Sequence, residues 1–399
     1  MSDIPVTQVV FTGTTWVTSA TDTNYIVLGS GVLRLGNGGV VFGATAIGAG
    51  SSMMIETGGT ATNSTIAVGA VQFNFGNAIG TVVSNGGTQH VYNGGTASNT
   101  TIATGSYQDV YYAMVSDTNL SGYQQVLAGG IANGTVISNA GLEYVGVGGT
   151  ANATVVTSGG LQYVDVGATD NNAVIENGGF QYVSGATTGS KVQSGGIQDI
   201  IGTSLNVTVA GGAVQHVLNG GVATGTHILD NGTQDVANGA VVNTTVAGGY
   251  LNVLAGGIAT GTALSGGDET VFAGGTTHDV DFAGAASTLT LFDPSSLTGT
   301  VSHFEIGDVI DFRGLSITSY VFDGSTLTLA SGVSTYSYHF DAMQAGTELN
   351  VASDGHGGSA VSLSLLSQFA ASFGGSSASS EAPLVPADPE PAPTLAAHA

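Results

Sequence analysis

The chain has 399 residues, with 65 Gly, 7 Pro and no Cys, and its 3 Lys or Arg against 27 Asp or Glu give a formal net charge of -24 at pH 7. That balance excludes nucleic-acid binding and docking on anionic membranes, both of which need clustered basic residues, whereas Arg34, Lys191 and Arg313 lie far apart. The lack of Cys excludes disulfides and thiolate metal sites, glycine without a triplet period excludes collagen, and 42% hydrophobic content excludes wholesale disorder.

The segment Met1-Ser2-Asp3-Ile4-Pro5 has neither a basic n-region nor a sustained apolar h-region, so it does not read as a signal peptide. No apolar run of about 18 residues occurs, so no transmembrane helix and no integral membrane protein is expected. Residues 1–28 read as an N-terminal cap, with Trp16 and Tyr25 shielding the first coil.

Residues 29–282 are repetitive. The block Gly159-Gly160-Leu161-Gln162-Tyr163-Val164 returns as Gly178-Gly179-Phe180-Gln181-Tyr182-Val183 and as Gly195-Gly196-Ile197-Gln198-Asp199-Ile200. The Gln position runs through Gln72, Gln89, Gln108, Gln124, Glu143, Gln162, Gln181, Gln198, Gln215, Gln234, Leu251 and Glu269, with Leu33 and Met53 ahead of it. The steps average about 18 residues, a solenoid period. Each period holds a second, Thr-rich segment after another Gly-Gly or Asn-Gly turn, so it reads strand, turn, strand, turn, with two or three faces per coil left open. The short β-branched and aromatic strands cannot stand alone. Stacked on copies about 4.8 Å away, their backbone groups all find partners, and about 14 coils make a rod of roughly 60 Å. A right-handed parallel β-helix, all-β, is the predicted fold. The Gln column admits two readings: an amide ladder through Gln89, Gln108, Gln124, Gln162, Gln181, Gln198, Gln215 and Gln234, or a polar stripe that binds glycans. Two residues on, Val91, Val110, Val126, Val145, Val164 and Val183 share the strand face and read as core.

The pattern GGxQxVxxGGxAxxTxVxxGG resembles the repeat of the AIDA-type adhesins, the passenger domains of adhesive and self-associating autotransporters. The resemblance covers half to two-thirds of the chain. It implies a right-handed parallel β-helix, display on the bacterial surface or in the extracellular space, and adhesion or aggregation through cell-surface glycans, proteins or self-association. It also implies hydroxyls open to glycosylation, for which Thr96, Thr100, Thr101, Thr150 and Thr154 match. The sequence departs from a complete autotransporter, because no membrane β-barrel pattern follows Gly284.

From residue 283 to 365 the repeat gives way to a second β-module, with strands predicted at Thr288–Phe292, Val309–Phe312, Thr326–Leu329 and Tyr336–Phe340 between turns such as Asp293-Pro294 and Asp323-Gly324. It resembles the closing module of type I secreted repeat proteins and would cap the open solenoid end. Residues 361–373 show apolar positions at helical spacing (Leu365, Leu366, Phe369, Phe373), so a short amphipathic helix is expected. Residues 366–399 then combine the rest of that helix with a Ser-, Pro- and Ala-rich tail expected to be disordered. This segment is either a docking helix with a frayed end or an uncleaved signal for type I secretion machinery.

No cofactor is expected. The tandem calcium nonapeptide is absent, and a weak Ca²⁺ site would need Asp308, Asp311 and Asp354 to converge. His90 and His216 fall just after the Gln position and should point outwards. A catalytic reading, a β-helix polysaccharide lyase or hydrolase, needs a tuned carboxylate pair. Asp109, Asp165, Asp199 and Asp235 instead recur with the repeat, which suggests a surface column. The remaining readings are a non-enzymatic adhesin or self-associating scaffold, and a structural matrix or filament subunit.

Overall fold

The computed structural model describes residues 7–21, 24–341, 343 and 346–365. Through most of the repeats the chain winds as a right-handed parallel β-solenoid whose coils contribute three short strands, the second and third merging into Ile258–Leu264 and Thr276–Phe282 in the last two. One coil is made of Leu161–Val164, Thr169–Asn171 and Val174–Ile175. The next repeats it as Phe180–Val183, Ala186–Thr188 and Lys191–Val192. Pairing is parallel and in register, with Gln162 against Gln181, Asp170 against Thr187 and Val174 against Lys191. Three columns of strands result: a first, wider one that carries the Gln positions, a second mostly of three-residue strands and a third mostly of two-residue strands.

The sequence reading of two strands per period therefore misses a corner. Between the second and third strands a single residue takes left-handed backbone geometry. Down the stack this position is Asn63, Gly80, Asn99, Asp117, Gly134, Ala153, Asn172, Gly189, Asn206, Gly225, Asn243 and Gly261, with φ from 53° to 68°. Asn and Gly are the residues that tolerate this geometry best. Gly is favoured over Asn172 because a Cβ on Gly189 would sit 2.6 Å from Asn172 Oδ1 one coil below. One residue after the corner, a side chain turns inward: Thr81, Thr100, Thr118, Thr135, Thr154, Thr226 and Thr244 are all buried.

In-register pairing extends beyond the recognisable repeats at both ends. Thr7–Val10 pairs with Asn24–Val27, and Thr14–Val17 pairs with Val32–Leu35, so residues within the expected cap already form a coil. Trp16 does not shield that coil: it is 56% exposed on the outer face, with the Arg34 guanidinium 4.5 Å from its ring centroid, while Tyr25 is buried. At the other end Thr288–Leu291 stacks on Asp268–Val271, and Val309–Phe312 stacks on Thr288–Leu291. The stack closes there, because Val309–Phe312 takes Ser359–Leu365 as an antiparallel neighbour. Antiparallel strands Ser319–Phe322, Thr326–Ser331 and Ser334–Phe340 complete the module beside Thr347–Ser353.

The helix expected over 361–373 is corrected for its first part. Residues 361–365 belong to strand Ser359–Leu365, whose alternating Val361 and Leu363 are buried against the last coil and Thr347–Ser353. Alternation won over the helical spacing because an unpaired edge was available to extend. Residues 366–399, with the rest of that helix and the tail, lie outside the described residues.

Candidate functional site

The interior of the solenoid is unusually polar, and the Gln column is its axis. Gln89, Gln108, Gln124, Gln162, Gln181, Gln198, Gln215 and Gln234 are all fully buried, so they form no stripe open to glycans. Each amide nitrogen donates to the side chain of the coil before it. Gln89 donates to Gln72 at 2.6 Å, Gln181 to Gln162 at 2.6 Å and Gln215 to Gln198 at 2.7 Å. The bonds Gln108 to Gln89, Gln124 to Gln108, Gln198 to Gln181 and Gln234 to Gln215 run the same way. Register makes this arrangement unavoidable: strands about 4.8 Å apart bring identical amides to hydrogen-bonding distance, and a buried amide left unpaired would be costly. Val91, Val110, Val126, Val145, Val164 and Val183, on the same strand face, fill the core beside it.

Acids interrupt the ladder. Glu143 stands between Gln124 and Gln162, fully buried, and its Oε2 accepts from Gln162 at 2.8 Å and Thr154 at 2.9 Å. Its Oε1 has no partner in good hydrogen-bond geometry. Burial pushes its carboxyl up to about 7, Asp170 adds to this, and the hydroxyls of Thr154 and Thr135 and the Gln162 amide pull it back. Asp170 enters the same chamber from the second column. Gln162 and Gln181 donate to it at 3.1 and 3.0 Å and Thr187 at 2.9 Å, and burial raises its pKa too. One Gln162 nitrogen thus serves two carboxyls, with no cationic partner among the bonds that hold them. Further along, Glu269 is stacked between Leu251 and Leu289 with neither oxygen in good hydrogen-bond geometry. Burial pushes it up to about 7, offset in part by the nearby Thr277 and Thr262 hydroxyls.

The interior hydroxyls correct two of the glycosylation candidates. Thr100 and Thr154 are fully buried, the latter bonded to Glu143. Thr96, Thr101 and Thr150 stand on the outside of the second and third columns, partly exposed. Sequence reasoning missed the distinction because it turns on the one-residue corner at Asn99 and Ala153.

Outside, the recurring acids Asp109, Asp165, Asp199 and Asp235 each meet a partner. Asp109 pairs with His90 at 2.9 Å, and Asp199 with His216 at 2.7 Å. Asp235 lies 3.8 Å from the other nitrogen of His216 and accepts from Asn252 at 2.8 Å. Asp165 accepts from the Tyr144 hydroxyl, which is pushed up to about 12 by that bond. The Asp308, Asp311 and Asp354 set converges only in part: Asp311 and Asp354 lie close enough for their carboxylates to interact beside Arg313, and among the described residues no third acid joins them. Asp308 accepts from the backbone of Ser287 and Glu305 at 3.0 and 2.9 Å and so ties a turn, while Asp311 pairs with Arg313 at 2.6 Å. Asp354 accepts from the backbone of His356 and Gly358 within its own loop. Among the described residues no three His, Cys, Asp or Glu side chains are grouped to hold a metal, and no helix is long and apolar enough to cross a membrane.

Stacked coils, an internal amide ladder and a surface of repeating columns define a β-solenoid repeat domain. The chain is 31% identical to the TibA fragment whose crystal structure was determined in its TibC-catalysed, hyper-glycosylated form. The match covers 72% of this chain and 100% of that fragment, with a TM-score of 0.56. The chain therefore belongs to the family of AIDA/TibA-like autotransporter passenger domains. No family model matches it, and no curated protein does. The receptor-binding protein of bacteriophage Det7 aligns over 92% of this chain at 11% identity, but its TM-score of 0.21 carries no argument.

Proposed function

We propose that the chain is a bacterial surface or extracellular protein that works without catalysis, as an adhesin or self-associating scaffold whose partners are cell-surface glycans, cell-surface proteins or its own copies. The observation that carries this reading is the division of labour between inside and outside. Repeated polar side chains are spent on the interior ladder, while the outer faces present the same register coil after coil. A surface of that kind offers many equivalent weak contacts rather than one tuned site, which suits multivalent attachment. Kinship with TibA supports it. The lyase or hydrolase reading is disfavoured because Asp109, Asp199 and Asp235 are held by histidines and Asp165 by Tyr144. Growth of a filament by coil stacking is disfavoured at the C-terminal end, where Val309–Phe312 is already paired with Ser359–Leu365.

The test is display of the chain on a non-aggregating bacterium, followed by settling of the suspension and attachment to host cells. Clumping or attachment is expected, and a folded, displayed chain that produces neither refutes the reading. As part of the same proposal, Thr96, Thr101 and Thr150 are glycosyl acceptors and Thr100 and Thr154 are not, which peptide mass spectrometry after co-expression with TibC decides. Export by type I machinery predicts that deleting residues 366–399 retains the protein in the cell, and continued secretion contradicts it.

A further inference from the structure

The three outer faces differ in chemistry. On the second column the outward positions are mostly hydroxyls and amides, including an Asn ladder in which Asn152 donates to Asn133 and Asn171 to Asn152, each at 2.9 Å. On the first column, from Val71 to Leu218, they are mostly aromatic and aliphatic. Tyr144 stacks on Tyr163 and Tyr163 on Tyr182, with ring centroids 6.2 and 4.6 Å apart, and Tyr92 meets Tyr111 edge-on at 5.7 Å. Leu161 and Phe180 stand beside them at the first position of their strands. These side chains are half-buried, each keeping part of its surface open to water. Between strands Val71–Asn74 and Val214–Leu218 the carboxylates at outward strand positions of this column are Asp109 and Asp199, each held by a histidine, and Asp165, one residue past its strand, is held by the Tyr144 hydroxyl.

We propose that this aromatic face, from Val71 to Leu218, is where two copies of the chain associate, sheet against sheet. The proposal rests on the self-association arm of the function proposed above and names its surface. Three observations favour a second copy as the occupant. A face that repeats about every 4.8 Å is complementary to itself, and flat sheets pack about 10 Å apart with interdigitated side chains. In a chain of net charge -24, two copies approach most readily where acids are already paired, and this face has that property. Nine strands of four or five residues present roughly 600 Å² per copy, hence roughly 1,200 Å² in all, which reaches the lower range of specific interfaces. Tyr and Phe are also the side chains that hold most energy at such contacts.

The test uses substitutions that the fold already accepts at equivalent positions. Leu161 and Phe180 are changed to Thr, as at Thr88 and Thr233, while Tyr163 is changed to Gln, as at Gln125, and Tyr182 to Asn, as at Asn252. Circular dichroism checks that the coils persist. Sedimentation velocity of the full chain across a concentration series in 0.5 M salt should show a reversible dimer. The fourfold variant should raise its dissociation constant by roughly tenfold or more, and a variant of the polar face, Thr169→Val, should leave it unchanged. A wild-type chain that stays monomeric, a fourfold variant that dimerises as well as wild type, or an aromatic face that captures a soluble glycan while the chain remains monomeric would each overturn the proposal. Displayed cells separate the two levels: clumping that survives the fourfold variant removes this face and keeps the self-associating scaffold, whereas wild-type cells that neither clump nor attach remove the scaffold itself.

Discussion

Replacing Glu143 by Gln should make the solenoid stable at alkaline pH where the native chain weakens. Glu143 occupies an amide position between Gln124 and Gln162, and as a carboxylate it lacks the donor that each Gln presents to the coil before it. Protonated, it regains one, and its Oε1 is the atom left without a partner in good hydrogen-bond geometry. Its pKa is raised from 4.5 to about 7, with burial the leading cause. The folded chain therefore holds this proton more tightly than the unfolded chain, and between those two pH values folding binds a proton. Stability from this group is complete below about pH 4.5, falls as pH rises, and is lost above about pH 7, by about 3 kcal/mol in all. The amide of the variant does not titrate, so that loss is absent. Urea denaturation followed by circular dichroism at pH 4.5 and pH 8 measures it. The variant's gain over wild type should be larger at pH 8 than at pH 4.5 by about 3 kcal/mol. An equal gain at both values, or a variant weaker than wild type at pH 8, would refute the reasoning.

Other perturbations follow from the same interior. Glu269→Leu continues the Leu251 and Leu289 stack and removes a carboxyl with no well-placed partner, so urea denaturation at pH 8 should find it more stable by roughly 1–3 kcal/mol. Gln198→Leu strands the Gln215 donor and the Gln181 acceptor, each now bonded to Gln198, and should cost about 2–4 kcal/mol in the same assay. Gly189→Ala, at φ 68° with a Cβ 2.6 Å from Asn172 Oδ1, should cost roughly 1–3 kcal/mol, and the Asn172→Gly background should recover part of that. His216 has its pKa raised, first by its bond to Asp199. Its contribution is present below the unfolded value and lost as pH rises through the folded one. His216→Ala should thus lower the melting temperature at pH 5, by under about 1 kcal/mol of stability for a partly exposed pair, and change it little at pH 9.

The amide ladder and the Val core were legible because both depend on period alone. Residues at a fixed register stack, and a β-strand puts Gln162 and Val164 on one face. The third strand of each coil was not legible. It mostly has two residues, and the turn before it is one left-handed Asn, Asp, Gly or Ala hidden inside a Thr-rich stretch. That corner decides which Thr faces in, so Thr100 and Thr154 could not be told from Thr96, Thr101 and Thr150 by composition. The alternation Asn172, Gly189, Asn206, Gly225 at this place was a usable signal. Asp170 was missed as an interior group for the same reason, since an acid in a second-column strand reads as surface. Ser359–Leu365 was misread in part because Leu365, Leu366, Phe369 and Phe373 fit a helix, while the edge that draws residues 359–365 into a sheet belongs to Val309–Phe312, about fifty residues earlier in the chain.

Distances between spin labels on the second column test the coil stacking most directly. The chain has no Cys, so pairs introduced at Thr60, Asn77 or Thr96 with one at Thr203 are free of background. These positions are joined register by register through Met114, Ile131, Thr150, Thr169 and Ala186. Pulsed electron paramagnetic resonance should return separations of roughly 38, 34 and 29 Å, one step of about 4.8 Å for each coil removed. Separations that do not shorten by one such step per coil would contradict a chain wound lap upon lap.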